Sequence, residues 1–206
     1  MMISNEKIRL LEAWKNAPFG ELCVADIMKL SGKKTKPWVF NALKQLKGSR
    51  LLLSKRRGNL DVYSLNLSNP VLIQTLQYIE AQDSLDFAQL DVIMDAIGKI
   101  PVKNYCLLVF GSYAENRQKK DSDLDVCFLV ENKQAEKRIK PYFNEVKLNH
   151  AVNVDEHYIT FSDFVRMLLR SEENLGKQIF RKHRLFFNAE IYYQLLKEAY
   201  KNGFRQ

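Results

Sequence analysis

The feature that most constrains this chain is a pair of short apolar runs, each tied to a polar motif. Tyr105–Phe110 ends in Gly111-Ser112. After ten intervening residues comes Asp123-Leu124-Asp125, which opens a second run, Val126–Val130. Both apolar runs read as short buried strands. Alternation along a strand points Asp123 and Asp125 to the same face. Two neighbouring carboxylates repel each other unless a cation lies between them. Hard divalent ions such as Mg²⁺ bind one or two carboxylates together with substrate phosphates. A glycine lets the backbone approach a ligand closely, and a helix start after it offers N–H groups to phosphate. The arrangement implies a nucleoside triphosphate held between a Gly-Ser turn and metal on Asp-x-Asp.

The basic character of the chain is unevenly spread. Its net charge is +8, and residues 1–66 hold 13 Lys/Arg against 5 Asp/Glu, whereas the rest holds 19 of each. The whole excess therefore lies in the first third, which predicts two functional parts and a polyanionic partner for the first. A solvated, solubilising face is the competing explanation. No stretch reaches the roughly 18 apolar residues of a membrane span. The start, MMISNEKIRLLEAWKN, carries charges within its apolar pattern, unlike a signal peptide. Cys23, Cys106 and Cys127 are odd in number and widely spaced, so they read as core thiols in a reducing cytoplasm.

Along the chain, spacing predicts a helix at about 5–16, a second at 24–30 closed by Ser31-Gly32, and a third from a Thr35 cap to about Lys47. A β-hairpin follows, 51–57 and 60–65 around Gly58-Asn59. Helices are expected at 71–81 and 85–97, and at about 134–144 with an irregularity at Pro141. A third strand is expected at 152–159. Further helices are predicted from a Ser162 cap to Leu169, at 175–181 and at 191–201, with a short apolar segment at 185–187. Leu185–Phe187, Tyr192 and Tyr193 suit either a core or an interface.

Three helices and a basic hairpin resemble a winged helix-turn-helix domain over about residues 4–66. The resemblance implies that the third helix, with Lys36, Asn41, Lys44 and Gln45, enters the major groove of double-stranded DNA. The wing would bring Lys55, Arg56 and Arg57 to phosphates. Such domains also serve as protein-contact modules.

The segment FGSYAENRQKKDSDLDVCFLV resembles the signature of polymerase-β-like nucleotidyltransferases. It is most similar to the minimal nucleotidyltransferases, which often read GSxARGxxxxxSDLDLxV. The C-terminal run from ITFSDFVRML through KQIFRKHRLFF to IYYQLL resembles winged-helix-linked members. The fold class implied is α+β: an N-terminal winged helix-turn-helix, residues 1–68, a linker helix, 69–84, and a nucleotidyltransferase palm at 85–206. The palm is a mixed β-sheet flanked by helices, with further helices at the C-terminus.

The resemblance implies transfer of a nucleoside monophosphate from ATP or another NTP to a hydroxyl, with two Mg²⁺ ions on Asp123 and Asp125. Gly111 and Ser112 would bind the β/γ-phosphates, and Lys119 or Lys120 would neutralise charge unless they form a solvated loop. A third carboxylate is usual, and Asp155 is the candidate. Glu156 is expected to face away from it, and His157 to share its face in a surface or packing role. Members of the group often label a HEPN-like toxin, which implies a protein hydroxyl as acceptor; a small molecule and an RNA end are the alternatives. A homodimer is also compatible with the resemblance. Glu115-Asn116 stand where Arg-Gly is usual, so the alternative is a DNA-binding regulator with a degenerate, non-catalytic palm.

Overall fold

The computed structural model describes residues 3–205. Met1, Met2 and Gln206, which fall within the expected domain bounds, lie outside the described residues. The chain divides into two compact units, at Ile79/Glu80. Among the described residues no helix is long and apolar enough to cross a membrane.

The first unit begins with α1 (Asn5–Ile8), continued by a 3-10 turn at Arg9–Trp14. The expected α-helix to residue 16 is thus tightened after one turn. Leu10 with Ala13, and Leu11 with Trp14, are all buried at a spacing of three, which is the repeat a 3-10 helix stacks on one line. The buried Trp14 indole donates to the Gly20 carbonyl at 3.0 Å. A two-residue strand, β1 (Leu22–Cys23), was not anticipated; it pairs with β3. The next helix, α2 (Val24–Ser31), ends on Gly32 at φ +66, a left-handed conformation glycine adopts without strain. Cys23 is its N-cap and only half-buried, so it is not the core thiol expected. The third helix is α3 (Lys36–Gly48), with Pro37 in its first turn. Thr35 occupies the N-cap position, but its hydroxyl makes no capping bond. β2 (Leu52–Arg57) and β3 (Leu60–Leu65) form the expected hairpin, turning on Gly58 at φ +57. The sheet order is β1-β3-β2. Ile27, Val39, Leu43, Leu46, Leu52 and Val62 are buried in this unit.

Helix α4 (Pro70–Asp83) runs through the division. In the second unit α5 is Leu90–Lys99, five residues later than the sequence suggested. Leu85 is exposed and Phe87 is buried, and the segment turns rather than winding. The sheet consists of β4 (Tyr105–Phe110), β5 (Leu124–Val130), β6 (Val154–Thr160) and β7 (His183–Phe187), in the order β6-β5-β4-β7. β4 is antiparallel to β5 and β7, while β5 and β6 are parallel. A short helix, α6 (Gly111–Ala114), follows β4.

One face of the sheet, with Tyr105, Leu107, Val109, Val126 and Phe128, packs on α5 and on α7 (Lys133–His150). Against the other face lie α8 (Phe161–Leu169), touching β5 and β6, and α10 (Ala189–Lys201), touching β4. α9 (Leu175–Arg181) packs on α8. Burial on both faces explains why β4 and β5 read as continuous apolar runs. Cys106 and Cys127 are buried there, as expected, and burial pushes both thiols up. Tyr192 and Tyr193 are buried in α10 and belong to the core.

α7 is longer than predicted and continues through Pro141. Ala135, Ile139, Phe143 and Val146 are buried on both sides of the proline, and this continuous stripe outweighs the local loss of about 3 kcal/mol. Asn132 caps its start by accepting from the Gln134 and Ala135 amides. α8 is capped by Thr160, which accepts from Asp163 N, and not by Ser162. β7 carries a bulge between its pairings Leu107↔Phe187 and Leu108↔Leu185. The extra residue is Phe186. It turns two consecutive phenylalanines to one side, Phe186 onto Phe87 and Phe187 onto Tyr105, each with ring centres 4.9 Å apart.

Candidate active site

One edge of the second sheet gathers the residues of the motif. β4 ends at Phe110, β5 begins at Leu124 and β6 at Val154, so Gly111, Asp125 and Asp155 meet at neighbouring strand ends. The parallel register sets Asp125 directly opposite Asp155, with both side chains on one face. Asp123 stands exposed two residues before Asp125, in the loop entering β5.

Gly111 and Asp125 are in close contact. Gly111 has φ +67, and a Cβ placed on it would lie 2.0 Å from Asp125 Oδ2. The two halves of the motif thus fit together through the missing side chain, and an L-residue here would be both strained and blocked. Ser112 follows in the first turn of α6, and its carbonyl accepts from Arg117 N at 2.9 Å, closing the loop.

Electrostatics mark Asp125 as the strained carboxylate. Burial, then repulsion from Asp155, raise its pKa above the ordinary value; His157 opposes the shift and Asp123 adds to it. His157 Nε2 lies 3.2 Å from Asp155 Oδ2, and its ring packs on Phe110 with centres 5.4 Å apart. His157 does share the face of Asp155, as the alternation predicted. Glu156 turns the other way and pairs with Lys147 of α7 at 2.9 Å.

Among the described residues no group of three or more His, Cys, Asp or Glu side chains is arranged to hold a metal ion. The paired Asp125 and Asp155, with Asp123 beside them, nevertheless suit a hard divalent ion. Such an ion takes one or two carboxylates and completes its shell with phosphate and water. It would also offset the repulsion that raises Asp125.

The loop after α6 is fixed from β7. Arg184 donates to Ala114 O, to Asn116 Oδ1 at 3.0 Å, and to Asp86 Oδ1 at 2.7 Å. This ion pair holds the Asp86 carboxyl below its usual range. Asn116 takes φ +53, a conformation asparagine tolerates better than most residues. Glu115 pairs with both Lys182 and Arg117. Glu115 and Asn116 are therefore ordered parts of the site's wall. Sequence reasoning missed Arg117, Lys182 and Arg184; the last two lie some 70 residues from Gly111 with no motif to flag them. Lys119 and Lys120 are exposed, in a turn where Lys119 N donates to Ser122 Oγ at 2.8 Å.

In the first unit Lys36, Asn41 and Lys44 are exposed on α3, while Gln45 is half-buried and accepts from Lys7 Nζ at 3.1 Å. Lys7, Asn41, Lys44 and Gln45 line an open groove along this helix. On β2, Lys55, Arg56 and Arg57 are exposed, but Lys55 and Arg57 both pair with Glu21. The candidates on α3 and β2 thus lie together in one unit, with part of the hairpin charge already matched.

Residues 96–185 match the family model described as a nucleotidyltransferase domain. The matched stretch contains the whole edge site and supports a nucleotidyltransferase fold for this part of the chain. No curated protein matches the chain, and no solved structure does.

Proposed function

We propose that this chain is a nucleotidyltransferase that moves a nucleoside monophosphate, AMP in the first instance, from an NTP to a hydroxyl acceptor. The observation that carries this reading is the contact of Gly111 with Asp125, which joins the Gly-Ser turn to the Asp-x-Asp strand. The family match over the same residues supports it.

Asp123, Asp125 and Asp155 hold the divalent ions, Mg²⁺ by donor type. When bound, the ions neutralise phosphate charge and activate the attacking oxygen. Gly111 backbone and Ser112 hold the β/γ-phosphates and set the α-phosphorus before the acceptor. The acceptor oxygen then bonds to that phosphorus, the bond to the bridging oxygen breaks, and pyrophosphate leaves. Asp155, contacted by His157, receives the acceptor proton. The first unit acts as a winged helix-turn-helix that binds duplex DNA through α3 and the hairpin, and a partner protein, of the HEPN-like toxin class, supplies the hydroxyl.

Incubation with labelled ATP, Mg²⁺ and candidate partners tests the chemistry. The label transfers with the wild-type chain and not with Asp123→Ala/Asp125→Ala. Transfer that survives the double substitution refutes the assignment. A second reading, a DNA-binding regulator with a silent palm, is favoured by Glu115 standing in ion pairs beside the phosphate turn. It predicts DNA binding with no label transfer to any acceptor.

A further inference from the structure

The acidic edge accounts for the metal side of a bound triphosphate, but it leaves the polyphosphate tail without cations. The antiparallel register of β4 and β7 runs Val109↔Arg184 and Phe110↔His183. The ladder ends there, with Gly111 the residue after Phe110 and Lys182 the residue before His183. Gly111 therefore has Asp125 on one neighbouring strand and Lys182 at the head of the other. Arg117 reaches the same turn from the loop, its amide bonded to Ser112 O. Both cations converge on one anion, the Glu115 carboxylate. Glu115 lies three residues beyond Ser112, at the end of α6. Lys182 and Arg117 keep more than half of their side-chain surface open, 56% and 67%, so both are free to turn to a ligand.

We propose that Lys182 and Arg117 form the subsite for the β- and γ-phosphates of the nucleotide, and that Glu115 is an internal anion which occupies this subsite until nucleotide displaces it. The inference rests on the nucleotide-binding reading and deepens it. What sets this pair of cations apart from those on Glu21 is its place beside the Gly111-Ser112 turn. Exposed pairs contribute little stability, so exchanging Glu115 for a polyanion costs little. A phosphate tail carries more charge and more acceptor oxygens than a single carboxylate. The departure from Arg-Gly at 115-116 then becomes a threshold for nucleotide entry, set by competition between Glu115 and phosphate for the same cations.

The test is calorimetric binding of ATP and of AMP, each with Mg²⁺, to the full chain and to three variants. Lys182→Ala is expected to weaken ATP about tenfold, the value of one charge-assisted hydrogen bond, and to leave AMP unchanged. Glu115→Gln is expected to tighten ATP severalfold, again without effect on AMP, because it releases both cations. Lys182→Arg keeps the charge and restores ATP binding. Equal losses for ATP and AMP in Lys182→Ala, or weaker ATP binding in Glu115→Gln, overturn the inference while leaving the nucleotide site standing. Failure of the wild-type chain to bind either nucleotide overturns the nucleotide reading, and this inference with it. Thermal melts of each variant report whether folding is intact.

Discussion

Asp125 is the residue whose own energetics reveal the site. Its carboxyl is raised by burial and by Asp155, so ionising it opposes folding. That cost is absent below the ordinary carboxylate range and sets in as pH rises through the raised value. Asp125→Asn removes it. The variant should melt higher than wild type at neutral pH without metal, and the advantage should vanish in acid; thermal melts across pH read both. Mg²⁺ should stabilise wild type but not the variant, and label transfer should fall at least about a thousandfold. Gly111→Ala tests the contact from the other side. The new methyl meets Asp125 Oδ2, and φ +67 disfavours it. Denaturant unfolding should show a loss of about 1–2 kcal/mol from backbone strain alone, with nucleotide binding lost as well.

At the scale of elements, the parallel pair β5/β6 matters most, because it aligns Asp125 with Asp155. The crossover between them is α7, so its cap bears on the alignment. Asn132→Ala removes the acceptor for two amides and should cost about 1 kcal/mol, read by denaturant midpoint. Much of this level was legible. β4 and β5 declared themselves as unbroken apolar runs, and the spacing of Gly111, Asp123 and Asp125 identified the turn and strand that meet. The face of Asp155 followed from simple alternation. Other features depended on tertiary context. Leu85 and Phe87 continue an apolar pattern that imitates helix, yet Phe87 is drawn onto Phe186 and leaves Leu85 in solvent. Thr160, the last residue of β6, took the cap expected of Ser162 because the strand ran one residue further. Lys182 and Arg184 could not be found from spacing, since only the pairing of β7 with β4 brings them to the loop.

Over the whole molecule, charge separates the two units: the excess of +8 lies in residues 1–66. If that unit reads duplex DNA, affinity should fall steeply with salt, and Lys44→Ala should reduce the salt slope by about one unit without changing sequence preference. Fluorescence anisotropy over a salt series measures this. A flat salt dependence, or no binding at low salt, refutes the DNA role. Lys55 and Arg57, partly matched by Glu21, should have smaller effects than Lys44.

The order of the strands has a consequence for how the chain acquires its site. Gly111 and Asp125 come together early, in an antiparallel pair joined by a 13-residue connection. Asp155 joins only after α7 has crossed, and Lys182 only when β7 closes the far side of β4. During synthesis the three carboxylates and Arg117 therefore emerge before Lys182. A ribosome-bound chain that stops short of β7 would carry the carboxylates and Arg117 without Lys182, and would hold ATP more weakly than the chain whose last strand has docked. Because ligand that binds the folded form alone stabilises it by mass action, nucleotide would then favour completion of β7 over its release.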